Sequence, residues 1–178
     1  MKALIFIVAA ILLSGPELAV YKNDTFHFEI QIPKQHVEES NILSEKFGTI
    51  DFIKVTGQEA VQDGDQKGNL IYTVIASRYQ TNANFARTGM KFQDFIYNHA
   101  KSISEESFIN NNFIIIAEKH SKDLHYYFVG DSSMETFMHK KIVVRNDVTY
   151  SMSIMSKKGP LPQQNIDGFF KSLKISTK

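Results

Sequence analysis

The chain has 178 residues, 43% hydrophobic and 22% charged, with 20 Lys and Arg against 19 Asp and Glu. That profile belongs to an ordinary globular protein; it excludes collagen, low-complexity disorder and a charge field strong enough to gather nucleic acid or anionic lipid. The absence of Cys excludes a disulfide scaffold, a thiol nucleophile and any cysteine-ligated metal or cluster.

Met1 and Lys2 precede an uncharged apolar run from Ala3 to Leu13 that ends at Ser14-Gly15-Pro16. One positive charge, a short apolar core and then small or helix-breaking residues predict a secretory signal peptide over residues 1–19, with cleavage between 14 and 21. The run is too short to span a bilayer, which takes about 20 apolar residues, and the missing Cys removes a lipoprotein anchor. Residues 20–178 are then expected as one globular domain of about 160 residues with balanced charge. The expected location is periplasmic or extracellular, because an exported protein without disulfides must rest on its core.

The domain opens with Phe26 to Ile32, strict apolar and polar alternation stopped by Pro33, which predicts a half-buried strand. Two further strands are expected over Phe47 to Val55 and Leu70 to Gln80, joined by a turn-rich hairpin loop from Gln62 to Asn69. Phe92, Phe95, Ile96, His99, Ala100 and Ile103 then repeat at spacings of three and four, the stripe of an amphipathic helix within residues 88–105. Phe113 to Lys119, Leu124 to Val129, Glu135 to Arg145 and Val148 to Met155 follow with short loops, which predicts antiparallel neighbours. After Gly159-Pro160-Leu161-Pro162, Ile166, Phe169, Phe170 and Leu173 mark one face of a last short helix. The expectation is an α+β fold, a single antiparallel sheet of about 6–7 strands with helices packed on it.

Together with that order, the opening phrase Tyr21 to Pro33 and the closing phrase Ile166 to Ile175, with its Phe169-Phe170-Lys171-Ser172-Leu173-Lys174, resemble the PsbP-like fold family. That family joins the extrinsic PsbP subunit of photosystem II, a Ran-binding nuclear import factor and many small exported bacterial proteins. The resemblance runs from Tyr21 to Ile175 and implies an α/β/α sandwich in which Phe169, Phe170 and Leu173 anchor the core. Its motifs are structural, so it implies no catalytic residue.

Asp63-Gly64-Asp65 opens like a calcium loop, but Lys67 stands at an oxygen-ligand place and Val74 replaces the closing Glu, so a solvated hairpin is the better reading. Gly130-Asp131-Ser132-Ser133 resembles an esterase nucleophile phrase without the Asp-x-x-His that would supply its base, and reads as a tight turn. Among six His, His120, His125 and His139 would face one another across three adjacent strands if the hairpins centre between Lys122 and Asp123 and then at Ser132. Such a row could hold zinc or copper, against solvated histidines at strand ends. His99 reads as a helix boundary residue. Tyr126, Tyr127 and Phe128 are the densest aromatic run, and Tyr127 is the candidate for an exposed partner surface unless helices cover both faces of the sheet.

Lys140-Lys141 and Lys157-Lys158 are pairs rather than a nucleic-acid patch. No cofactor is expected. The functional expectation is a non-enzymatic binding or accessory domain with a protein partner in the cell envelope. Alternatives are a carrier of a small apolar ligand and, third, a His-based metal protein.

Overall fold

The computed structural model describes residues 18–63, 66–109, 114–120, 123–129, 136–157 and 163–176; within these, side-chain surroundings are described outside 61–68, 100, 101, 103–137, 157 and 163. Ten strands and three helices alternate along these segments. The expected single sheet is not what forms. Strands divide into a three-stranded sheet, a five-stranded sheet and a separate two-stranded hairpin.

The three-stranded sheet joins β1 (Leu18–Asn23), β2 (Phe28–Pro33) and β10 (Lys174–Ile175), with β2 in the middle. The domain boundary expected after Ala19 falls inside β1, where Ala19 pairs with Ile32. Phe26 and His27 leave the expected strand because the chain reverses there, with His27 at φ 56°. Asn23 Oδ1 accepts from the Phe26 amide at 2.9 Å, closing the turn.

The five-stranded sheet has the order β3 (His36–Glu45), β4 (Gly48–Asp63), β5 (Gln66–Thr81), β9 (Val148–Lys157), β8 (Thr136–Arg145). Pairing of β4 with β5 continues from Gly48↔Thr81 to Asp63↔Gln66, so the long hairpin loop expected over 62–69 contracts to residues 64 and 65. Those two, like Ser132, lie outside the described residues. Two places require Gly: a Cβ on Gly48 would lie 1.8 Å from the Gln80 carbonyl oxygen, and one on Gly57 would lie 2.9 Å from the Pro33 ring. The second close approach is where the two sheets meet.

Alternation on these strands separates two faces. One carries Ile53, Val55, Tyr72, Val74, Tyr150, Met152 and Ile154, all buried against Phe28, Ile30 and Ile32 of β2 and against Ile166, Phe169 and Phe170 of α3 (Gln163–Lys171). The Phe169 ring meets Tyr72 edge-on at 5.2 Å, a geometry that adds to the area it buries. Within this core Tyr72 donates to Glu59 at 2.8 Å and Asn165 donates to the Tyr72 hydroxyl at 3.2 Å. Burial raises the pKa of Glu59 and of Tyr72. At one end of the core Arg78 lies over the Phe26 ring at 5.0 Å and donates to the Thr25 carbonyl, while Tyr150 donates to the Phe26 carbonyl at 2.7 Å.

The opposite face receives α2 (Phe92–Ile109), so the two long helices lie on opposite sides of the five-stranded sheet, as the covered-sheet alternative anticipated. A four-residue helix, α1 (Ala83–Ala86), precedes it, capped by Asn82. β6 (Ile114–His120) and β7 (Asp123–Val129) form the separate hairpin.

Candidate functional site

The face beneath α2 differs from the sealed one because its residues are mixed. Thr149 and Ser151 on β9 and Ser77 on β5 stand where the other face has Val148, Tyr150 and Ala76. Among the described residues, a small cluster packs under the helix: Ile50, Tyr79, Ile96, Ile142 and Val144, with Phe92, Phe95, Tyr97 and Met138 at its margin. Among the described residues, the N-terminal half of α2 packs on this face and a groove runs beside it.

Two cavities of about 260 Å³ each open along this groove and share Ile50, Tyr79 and His99. Phe47, Gly48 and Phe95 line the first, at the β3–β4 turn; Leu43, Phe52, Ile75 and the hydroxyls of Ser77 and Ser151 line the second, with Lys140. Rings set the walls: Phe95 lies edge-on to Phe47 at 6.1 Å and nearly parallel to the His99 ring at 6.0 Å. The β3–β4 turn is held in place by the Asn82 amide, which donates to the Phe47 carbonyl at 2.9 Å.

Between the cavities the Tyr79 hydroxyl lies 3.0 Å from His99 Nδ1. Burial lowers the His99 pKa, with a smaller opposing effect of Glu45, so the ring is neutral near pH 7 and shares a hydrogen bond with Tyr79 at Nδ1. Burial likewise raises the Tyr79 pKa, and Thr149 hydrogen-bonds its hydroxyl. The groove is thus apolar with one polar bridge across it. His99, on the stripe its spacing indicated, is part of a cleft.

The expected histidine row has a different frame. Glu118 pairs with His125 and His120 with Asp123, so the hairpin centres one residue earlier than the row requires and the two His are diagonal rather than opposite. β7 runs close to β8 but is not hydrogen-bonded into its sheet. His139 pairs with Ile154, and burial lowers its pKa. The side chains of His120, His125 and Tyr127 lie outside the described residues. Among the described residues no group of three His, Asp or Glu could hold a metal ion. The groove itself was missed in the sequence because it joins Leu43, Phe47 and Phe52 to Tyr79 and Phe95 across four elements and a turn; only the Phe92-Phe95-His99 spacing signalled it.

The fold defined here is a β-sandwich of three and five strands with a helix on each side of the larger sheet. It is similar to the solution structure of cyanobacterial PsbP (CyanoP) from Synechocystis sp. PCC 6803, at 12% sequence identity and TM-score 0.43 over 94% of this chain and 96% of that one. No family model matches the sequence, and no curated protein does. No described helix is long and apolar enough to cross a membrane.

Proposed function

We propose that the chain is an exported, non-enzymatic accessory domain, working in the periplasm or outside the cell, that binds an envelope protein through the groove beneath α2. The observation that carries this reading is the pair of small aromatic-lined cavities beside exposed Leu43. Each is smaller than the roughly 300–1,000 Å³ that encloses a small molecule, but shallow apolar recesses of this kind accept anchoring side chains of a protein partner. That size favours a protein partner over a carried apolar ligand. The single polar bridge, Tyr79 to His99, would fix the orientation of what docks there. Export rests on the Met1 to Pro16 leader pattern.

The test is site-specific photocrosslinking in the native envelope from position 52, on the groove floor, with position 171 on the far side as control. A discrete protein adduct from position 52 alone is expected, lost when Phe47→Ala and Phe95→Ala are combined. Adducts of equal yield from both positions, or recovery of a small molecule and no protein, would overturn the reading.

A further inference from the structure

The second surface of interest is β3. It is the terminal strand of the five-stranded sheet and pairs with β4 over ten residues without a bulge, from His36↔Gly57 to Glu45↔Gly48. Apart from His36 its residues are exposed, and three are large and apolar: Val37 at 64%, Ile42 at 66% and Leu43 at 43% of full exposure. A long, straight edge with apolar side chains is a template for another strand unless something blunts it.

The usual blunting devices are spent. β3 contains no Pro and no Lys. Its Glu39 is paired with Lys54 at 3.1 Å, and Glu38 accepts from Tyr21 at 3.1 Å and faces His36 at 3.8 Å. The Ile42 amide is bonded to the neighbouring Asn41 Oδ1 at 2.8 Å, a local contact that pairing along this edge would replace. In an antiparallel strand both backbone groups of a residue point the same way, and the direction alternates along the chain. His36, Glu38, Ser40, Ile42 and Ser44 therefore present the outward row, and the odd-numbered residues hold β4.

We propose that β3 pairs with β3 of a second copy of this chain, antiparallel and centred on Ser40, joining the two five-stranded sheets into one. The charges and the outward row select that register. Hydrogen-bonded pairs across the new seam must join even-numbered residues. Centring on Ser40 sets Glu38 against Ile42 and His36 against Ser44, and puts Val37 against Leu43 on the face that bears the groove. Centring on Glu39 or Glu38 would stack like charges directly, and centring on Ile42 would set Glu39 against Glu45. Centring on Asn41 would set Val37 against Glu45. Of these registers, centring on Ser40 alone both keeps every Glu from another Glu and sets Val37 against Leu43, with Ile42 beside Glu38. A two-fold axis through the pair makes the interface self-complementary, the commonest closed symmetry of homo-oligomers.

The absence of Cys makes the register directly readable. In the purified chain, Ser40→Cys places two thiols across the axis at a Cα separation of about 5.5 Å, within disulfide range, whereas Ser44→Cys places them far apart. Oxidation is expected to link the Ser40→Cys chain into dimers at least tenfold faster than the Ser44→Cys chain. Sedimentation of the unmodified chain at high micromolar concentration is expected to give twice the monomer mass. Ser40→Pro, which removes only an outward amide and leaves the β4 ladder intact, is expected to give a folded monomer by circular dichroism. A monomeric unmodified chain, a dimer indifferent to Ser40→Pro, or equal linking at positions 40 and 44 would each overturn the pairing; a monomer would leave the edge to a strand of another protein.

Discussion

The two faces of the five-stranded sheet were built from the same strands and differ in what covers them. One is closed by a second sheet and α3, and its strand residues Val55, Val74, Met152 and Ile154 have no measurable exposure. The other receives α2 and, among its described residues, keeps hydroxyls beside two cavities. The difference teaches that stability and recognition have been assigned to opposite sides of one layer: β5 sends Tyr72, Val74 and Ala76 to the first side and Ile75, Ser77 and Tyr79 to the second.

The comparison can be broken hardest at α3. Phe169→Ala removes a ring that is 1% exposed and leaves a cavity beside Tyr72, and is expected to cost about 3 to 5 kcal/mol, read as a lower urea midpoint at unchanged slope. Phe95→Ala, on the grooved side, removes a half-buried ring and is expected to cost about 1 to 2 kcal/mol. Amide exchange should separate the two: the first speeds exchange across both sheets, the second mainly in α2 and the β3–β4 turn.

The smallest effect is electrostatic and sharpens the contrast. His99 has a pKa below the ordinary value of about 6.5, so as pH falls the unfolded chain binds its proton before the folded chain does. Stability is therefore complete above that ordinary value and declines as pH falls toward the lower folded value. His139, also lowered by burial, adds in the same direction. Thermal melts between neutral and mildly acidic pH should show a falling midpoint, and His99→Gln should flatten part of that fall; an unchanged slope would mean the Tyr79 to His99 bridge carries no linkage.

Much of this architecture was legible in residue pattern where one face is wet and the other buried. Val148 to Met155 alternates and is β9; Phe92, Phe95, Ile96 and His99 repeat helically and lie on α2. Ile166, Phe169 and Phe170 are core anchors of α3, as the closing phrase implied. What escaped did so for physical reasons. β3 reads Val37-Glu38-Glu39-Ser40-Asn41-Ile42, with no alternation, because an edge strand exposed on both faces imposes none. β1 overlaps the leader boundary, and β10 is two residues long, held by pairing with β2 rather than by its own pattern. The division into two sheets was invisible because alternation reports that a strand has a buried face, never which strand lies across from it. The histidine row failed as a frame by one residue of register, the quantity a sequence specifies least at a hairpin of uncertain turn.

The middle position of β2, with β1 on one side and β10 on the other, has a consequence for the order in which the molecule can be assembled. Residues 28 to 33 emerge early in synthesis, yet the strand and helix that complete their surroundings lie beyond residue 160. Until those residues leave the ribosome, Phe28, Ile30 and Ile32 have only part of their apolar cover, so the nascent chain must carry an unfinished core through most of its own production. Under the export proposed above, that delay would be useful, since a polypeptide unable to close its fold early remains open for passage.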